Sequence, residues 1–279
     1  MTTITSRDGT EIAFDRVGSG DPIVLVDGAL SHRAAGPNGP LAALLAEHFT
    51  VHTYDRRGRG GSGDTAPYAV EREIEDLEAL IAAAGSSASV YGISSGGVLA
   101  LEAATRLDCV DALALFELPF VVDDSRAPIP EDFAAHLTEL IAADRRGEAV
   151  SYFMTTGVGL SKVIVAAMRL MPMWSKLKAV AHTLPYDATL LGPETGGGRP
   201  LPAGRWASLS VPTLVMSGSK SPPWMRNSAQ ALAELLGARH RTLDGQTHMV
   251  KPDALSPVLT AYFDGRPQTA HGARGRSDA

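Results

Sequence analysis

Short apolar runs alternate along the chain with longer amphipathic stretches, and this alternation predicts the secondary structure. The runs at Pro22–Val26 and Val110–Phe116 have the length and continuity of buried strands, whereas Val70–Ala84 repeats its apolar positions with the period of a helix. The same reasoning predicts strands at residues 2–6, 12–17, 49–54, 89–91, 212–216 and 239–243 and helices at residues 41–47, 97–106, 224–236 and 253–263. Strands that alternate with helices in this way predict an α/β fold with a mostly parallel sheet and helices on both faces.

The alternation stops between residues 119 and 206, where helix-like stretches such as 131–145 occur without a convincing strand. We therefore predict a core domain formed by residues 1–118 and 207–264, with residues 119–206 inserted over the sheet as a helical cap. Residues 265–279 contain few apolar side chains and are predicted to be a disordered tail. Five apolar cap residues either line a flexible pocket or pack the cap onto the core, and they are Met154, Met168, Met171, Met173 and Trp174.

Composition narrows the class of protein. A chain of 279 residues that is 44% hydrophobic and 20% charged suits one large domain with an insertion. Its net charge of -6 provides no attraction for nucleic acid or anionic lipid, so we expect neither nucleic acid nor a membrane as a partner. We see no signal sequence and no apolar run long enough to span a membrane, and we expect a cytoplasmic protein that acts on a small molecule. The oligomeric state is left open.

The motif Gly92-Ile93-Ser94-Ser95-Gly96 lies between a predicted strand and a predicted helix. This context is the one that a nucleophile elbow requires, because the sharp turn raises the serine hydroxyl above the end of the sheet. The flanking glycines leave room where a β-carbon would clash. A free serine hydroxyl is a poor nucleophile, so the motif also requires a base and an acid that orients the base.

Together with this motif, four other segments resemble the α/β-hydrolase superfamily, and the resemblance covers nearly all of residues 2–263. The segments are residues 24–28 (VLVDG), 54–62 (YDRRGRGGS), 211–218 (VPTLVMSG) and 245–248 (GQTH). The resemblance implies an eight-stranded sheet with a helical cap inserted after the sixth strand. It also implies that the charged turn at Asp55, Arg56 and Arg57 braces neighbouring loops rather than binding substrate.

The resemblance further implies a catalytic triad in which Ser94 is the nucleophile and His248 is the base. His248 lies in the loop after the last predicted strand, as the catalytic histidine of the family does. The acid that most members carry after the seventh strand is missing, because residues 217–223 contain no carboxylate. Some relatives, including a branch of the haloalkane dehalogenases, carry it at the end of the sixth strand, where this chain has Glu117.

Other candidates for the acid remain open. Asp123 and Asp124 lie slightly further into the cap, and a Ser-His dyad would need neither of them. A carboxylate at the end of a buried strand needs a partner to offset its desolvation, and this requirement favours Glu117.

The resemblance assigns the oxyanion hole to the backbone N–H groups of Ala29, after the third strand, and Ser95, after the nucleophile. The chain departs from the family at Asp27, which replaces the usual histidine. This carboxyl group either orders the loop through backbone hydrogen bonds or alters the electrostatics near the site.

These features predict a serine hydrolase that cleaves an ester, lactone or thioester of a small hydrophobic substrate through an acyl-enzyme, without cofactor or metal. The same framework also supports cofactor-free cyclisation, acyl transfer or perhydrolysis, and a non-catalytic small-molecule binding protein is the alternative from another class. The usual dehalogenase and epoxide-hydrolase reactions both use an aspartate nucleophile, so they do not fit a chain that has Ser94 at this position.

Overall fold

A computed structural model describes residues 2–265 and contains one twisted sheet of eight strands in the order β1-β2-β4-β3-β5-β6-β7-β8. The strands from β3 to β8 run parallel, and β1 and β2 are antiparallel additions at one edge. The predicted eight-stranded, mostly parallel sheet is therefore confirmed. The strands are β1 (Thr2–Thr5), β2 (Glu11–Val17), β3 (Pro22–Val26), β4 (Thr50–Tyr54), β5 (Ala88–Ile93), β6 (Val110–Phe116), β7 (Thr213–Gly218) and β8 (Arg239–Leu243).

Ten α-helices accompany the sheet in residues 2–265. They are α1 (Asn38–Leu45), α2 (Val70–Ala84), α3 (Ser95–Arg106), α4 (Phe133–Ala142), α5 (Arg146–Tyr152), α6 (Lys162–Met168), α7 (Met173–Ala179), α8 (Leu184–Leu191), α9 (Pro223–Leu236) and α10 (Pro252–Asp264). Within this part of the chain, none of the helices has both the length and the apolar surface needed to span a membrane.

The central strands are apolar at nearly every position because both faces of the sheet are covered. On β6, Leu113 and Leu115 pack toward α2, α3 and α9, whereas Ala114 and Phe116 pack toward α1 and α10. Successive side chains of a strand point to opposite faces, so one continuous apolar run supplies both cores. This is why the period of two residues is hidden in the sequence of the central strands.

Between β6 and β7 lie the five helices α4 to α8, in a segment that we call the helical insertion (residues 119–206). Its helices share an apolar cluster of their own, which Leu30 joins from the loop after β3. The helix predicted at residues 131–145 is shorter, Phe133–Ala142, because Asp144 adopts a left-handed backbone conformation with φ of 53° and ends the helical stretch.

The five apolar residues predicted either to line a flexible pocket or to pack the cap onto the core occupy different environments in the structure. Met171 and Met173 are 51% and 41% exposed, so they face solvent. Trp174 is buried in the cluster of the insertion, and Met154 and Met168 pack against that cluster. The predicted disordered tail, residues 265–279, lies outside the described residues except for Gly265.

Candidate active site

Ser94 lies alone between the end of β5 and the start of α3, in a backbone conformation that only glycine adopts without cost. Its φ of 56° and ψ of -131° are strained for a residue with a β-carbon. Hydrogen bonds fix this turn, because the Ser94 N–H donates to the Phe116 carbonyl at 3.0 Å and the Ser94 carbonyl accepts from Gly97 N–H at 2.9 Å. The side chain is half-buried at the carboxyl edge of the parallel strands.

The glycines of the motif leave room for close backbone packing. A β-carbon on Gly96 would lie 2.4 Å from the Asp27 carbonyl oxygen, and one on Gly92 would lie 2.6 Å from the Gly97 α-carbon. Helix α3 can therefore begin directly against the loop that follows β3. That loop also contacts the nucleophile position, since a β-carbon on Gly28 would lie 3.1 Å from the Ser94 β-carbon.

Glu117 follows the last residue of β6 and is fully buried. Its φ of 46° is positive and strained, as that of Ser94 is, and a hydrogen bond from its N–H to the Met216 carbonyl at 3.0 Å holds this conformation. The carboxylate Oε1 accepts the backbone N–H of Gly218 at 2.7 Å. The last residue of β7, the strand after which most relatives of the predicted family carry their acid, thus provides a backbone donor to an acid that follows β6.

The other carboxylate oxygen of Glu117 meets the histidine singled out from the sequence. Oε2 lies 2.9 Å from His248 Nδ1, and the imidazole is 28% exposed in the loop between β8 and α10. A carboxylate can only accept at this distance, so it places the ring proton on Nδ1 and leaves Nε2 with a free lone pair. The imidazole in this tautomer can take a proton at Nε2 and carry the resulting charge beside a buried anion.

Within residues 2–265, neither of the two alternative acids forms a hydrogen bond or ion pair with His248. Asp123 accepts hydrogen bonds from the Ser125 N–H and hydroxyl and from Asn227 Nδ2, the last at 2.6 Å. Hydrogen bonding by Ser125 lowers the pKa of Asp123, which therefore remains an anion on the surface. Asp124 is exposed. The structure brings Glu117, and neither aspartate, onto His248.

The two proposed oxyanion donors belong to the two segments that adjoin Ser94, the start of α3 and the loop after β3. Ser95 is the first residue of α3 and is buried, and Ala29 is half-buried in the loop after β3. Leu30, with φ of 61°, turns this loop back toward the helical insertion.

Asp27, the departure from the family pattern, is enclosed behind this loop and only 2% exposed. Burial raises its pKa to about 7, and the nearby Arg59 and Arg56 only partly offset that effect. Its Oδ1 has no hydrogen-bond partner among residues 2–265, and the same is true of the buried Nδ2 of Asn38. A β-carbon on Gly36 would lie 2.7 Å from the other carboxylate oxygen, so this carboxyl group packs tightly against backbone.

The charged residues of the turn after β4, Asp55, Arg56 and Arg57, bind neighbouring loops and helices, as the resemblance implies. All three are buried. Arg57 forms a bidentate pair with Asp76 of α2, and Asp55 accepts the N–H groups of Arg33 and Gly61. All of these contacts join neighbouring loops and helices of the core.

Arg56 and Arg59 both bind Asp187, a residue that the sequence did not single out. Arg56 binds Glu73 through two hydrogen bonds, and both arginines bind Asp187 of α8, at 2.8 and 2.6 Å. Asp187 also accepts the Ser95 hydroxyl at 2.8 Å. The only sign of this residue in the sequence is an aspartate in the mostly apolar stretch of α8. The sequence does not indicate which residues it contacts.

Two cavities, of about 400 and 420 Å³, open in the helical insertion. Their walls carry charged side chains such as Arg145 and Arg169 and do not include Ser94, Glu117 or His248. In the part of the chain that the structure describes, no three His, Cys, Asp or Glu side chains are grouped so that they could hold a metal ion.

Comparison with known proteins agrees with this architecture. The model of the alpha/beta hydrolase family matches residues 23–257. A crystal structure of an alpha/beta hydrolase from Sphaerobacter thermophilus is 56% identical, covers 94% of this chain and 100% of its own, and superposes with a TM-score of 0.86. The enol-lactonase from Burkholderia xenovorans shares the fold at 22% identity, with 94% and 100% coverage and a TM-score of 0.65.

Among curated proteins, the pimeloyl-[acyl-carrier protein] methyl ester esterase of Xanthomonas campestris is 39% identical over 103 residues. The match covers 37% of this chain and 38% of the esterase, so the chain spans about two fifths of that relative's length.

Proposed function

This chain belongs to the alpha/beta hydrolase family, and we propose that it is a serine esterase with Ser94 as nucleophile, His248 as general base and Glu117 as the acid that orients it. The observation that carries the proposal is the 2.9 Å contact between His248 Nδ1 and the fully buried Glu117, beside a serine held in strained backbone. Strain and buried charge both destabilise a fold, and they are typical of sites where chemistry requires them.

In the first half of the reaction, the Ser94 hydroxyl attacks the ester carbonyl carbon while His248 Nε2 takes its proton. The carbonyl π-electrons move to oxygen and form a tetrahedral oxyanion, which the N–H groups of Ala29 and Ser95 stabilise. When the carbonyl re-forms, the bond to the leaving alcohol breaks and His248 returns the proton to the alcohol oxygen. The products are a free alcohol and an acyl group on Ser94.

In the second half, His248 takes a proton from water as the water oxygen attacks the acyl carbon. Collapse of the second oxyanion breaks the bond to Ser94 and returns the proton to its oxygen, which releases the carboxylic acid. Glu117 stays ionised throughout and stabilises the imidazolium that forms in both halves. These steps use only the chain's own side chains and backbone N–H groups, and they require neither a cofactor nor a metal.

We propose that the substrate is an ester, lactone or thioester with a neutral, apolar acyl group. Leu30, next to Ala29, belongs to the same apolar cluster as Phe133 and Leu137 of the helical insertion, which we take to act as a cap over the site. Apolar packing beside the oxyanion loop makes an uncharged acyl chain the better match for this part of the site. The Xanthomonas relative is named as a methyl ester esterase, and this name supports an ester as the group that is cleaved.

Hydrolysis of aryl esters, lactones and acyl thioesters of graded chain length tests this proposal. We expect the wild-type protein to turn over at least one series and Ser94→Ala to retain its fold but lose that turnover, with Ser125→Ala as the surface-serine control. If the folded wild type turns over none of the series, or if Ser94→Ala hydrolyses as fast as the wild type, the esterase proposal is wrong. The first result would favour a small-molecule binding protein on the same fold.

A further inference from the structure

We infer that Asp187 of the helical insertion is a positioning residue that sets the orientation of both N–H donors of the oxyanion hole. This inference rests on the proposed function, since it concerns the oxyanion of that reaction. It would make the helical insertion a part of the catalytic machinery as well as a covering for it.

Asp187 is fully buried and uses both carboxylate oxygens. Oδ1 accepts the Ser95 hydroxyl and Arg56 Nη1, each at 2.8 Å, and Oδ2 accepts Arg59 Nη2 at 2.6 Å. Burial alone would raise the pKa of Asp187, but Arg59 and Arg56 outweigh it and hold this pKa below its ordinary value. A permanent anion therefore joins α8 to α3 and to the turn after β4.

The first donor is tied to Asp187 through its own side chain. Ser95 is the first residue of α3, and its N–H is one of the four that a helix leaves without an intrahelical partner. Its hydroxyl bond to Asp187 anchors this residue to α8, immediately after the strained Ser94 backbone. The direction of the Ser95 N–H thus depends on where Asp187 is.

The second donor is tied through an arginine and a peptide plane. Arg59 Nη1 donates to the Gly28 carbonyl oxygen at 2.7 Å, while Nη2 of the same guanidinium binds Asp187. The Gly28 carbonyl and the Ala29 N–H belong to one rigid peptide group and point in opposite directions, so holding the oxygen fixes the N–H. A cation on the carbonyl oxygen also polarises the peptide, which strengthens the N–H as a donor.

A merely structural role makes a different prediction, and the chain offers a matched control. Arg57 and Asp76 form a buried bidentate pair in the same turn and α2, with no hydrogen bond to Ser95 or to the loop after β3. Asp76→Asn and Asp187→Asn make the same change in a buried arginine partner. Both variants should be less stable than the wild type, whereas only Asp187→Asn should weaken stabilisation of the oxyanion.

The test compares Asp187→Asn, Ser95→Ala and Asp76→Asn in the full chain, with an aryl ester that the wild type hydrolyses and an aryl trifluoromethyl ketone. The ketone adds to the nucleophile and forms a hemiketal oxyanion, so its inhibition constant reports on the hole. We expect kcat to fall about 10-fold or more in Asp187→Asn and several-fold in Ser95→Ala, with little change in KM, because both N–H groups remain but are misdirected. The inhibition constant of the ketone should rise in the same proportion, and Asp76→Asn should lower the melting temperature without changing either quantity.

The inference is overturned if Asp187→Asn loses no more kcat than Asp76→Asn, or if its loss lies in KM with an unchanged inhibition constant for the ketone. If Asp187→Asn does not fold, Ser95→Ala decides, and unchanged kcat and ketone inhibition in that folded variant contradict the inference. Both results leave an active wild type, so they differ from failure of the esterase proposal, in which the wild type itself neither turns over esters nor binds the ketone.

Discussion

Replacement of Glu117 by glutamine tests the most unusual element of the site, an acid at the end of β6. Both partners of the carboxylate impose a direction on the replacing amide. The Gly218 N–H at Oε1 is a donor that cannot change, and the His248 Nδ1 at Oε2 is a donor in the active tautomer. Glutamine has one acceptor and one donor group for these two places.

Each orientation of the amide is unfavourable. With its oxygen on Gly218, the NH₂ group faces His248 Nδ1, which must then lose its proton and move it to Nε2, where it blocks proton transfer from Ser94. With its oxygen on His248, the NH₂ group opposes the Gly218 N–H, and two buried donors lack an acceptor at a cost of about 1–3 kcal/mol. Loss of the negative charge also removes the stabilisation of the imidazolium.

Together these effects raise the barrier by about 3–5 kcal/mol, which corresponds to a loss of about 10²–10⁴ in kcat. We expect a smaller effect on KM and a folded protein. The control is Glu102→Gln, the same change in another buried carboxylate, which lies about two turns along α3 from Ser95 and accepts from Arg106, Arg205 and Trp206. Steady-state hydrolysis of an aryl ester gives the rates, and the ¹⁵N shifts of the histidine ring should show that the proton of His248 has moved to Nε2.

A kcat for Glu117→Gln close to that of Glu102→Gln, with the His248 proton still on Nδ1, would refute this reasoning. If Asp123→Asn or Asp124→Asn then caused the large loss, the acid would lie in the helical insertion. Mild effects in all three variants would indicate a dyad.

Three further predictions concern the nucleophile, the buried Asp27 and the substrate. We expect Ser94→Ala and His248→Ala each to abolish turnover in a folded protein and the double variant to lose little more, because the two act as a unit; additive losses in steady-state rates would contradict this. Because burial raises the pKa of Asp27 to about 7, the free energy of unfolding should fall as the pH rises from about 4 through 7, by up to about 4 kcal/mol. Asp27→Asn should remove most of this slope in urea titrations at several pH values, and an unchanged slope would show that another group causes it. A neutral ester should have a higher kcat/KM than its carboxylate-bearing analogue, and the reverse preference would show that the acyl site is not apolar.

The sequence predicted those parts of the fold that depend on local pattern. The predicted bounds of β3, β6 and α2 agree with the structure, because an apolar run of strand length or a helical period is a property of neighbouring residues. The pairing of Glu117 with His248 was predicted from the resemblance, in which some relatives carry the acid at the end of the sixth strand, and the structure has that contact. Their roles in the reaction remain predictions.

Asp187 could not be found in the same way. Its partners Arg59 and Ser95 are 128 and 92 residues away along the chain, and they meet it only because α8 folds back over the carboxyl edge of the sheet. The apolar character of Met171 and Met173 likewise predicts that they line a pocket or pack the cap onto the core, but both side chains are exposed. Tertiary packing decides such contacts, and no local pattern records it.

Reaction of the folded protein with a fluorophosphonate, followed by mass spectrometry of its peptides, tests the central claim most directly. Such a probe phosphonylates only a serine whose hydroxyl a neighbouring base activates. We expect a single adduct per chain on Ser94, formed far more slowly in His248→Ala and absent in Ser94→Ala. An adduct on another serine, or none in the folded wild-type protein, would contradict it.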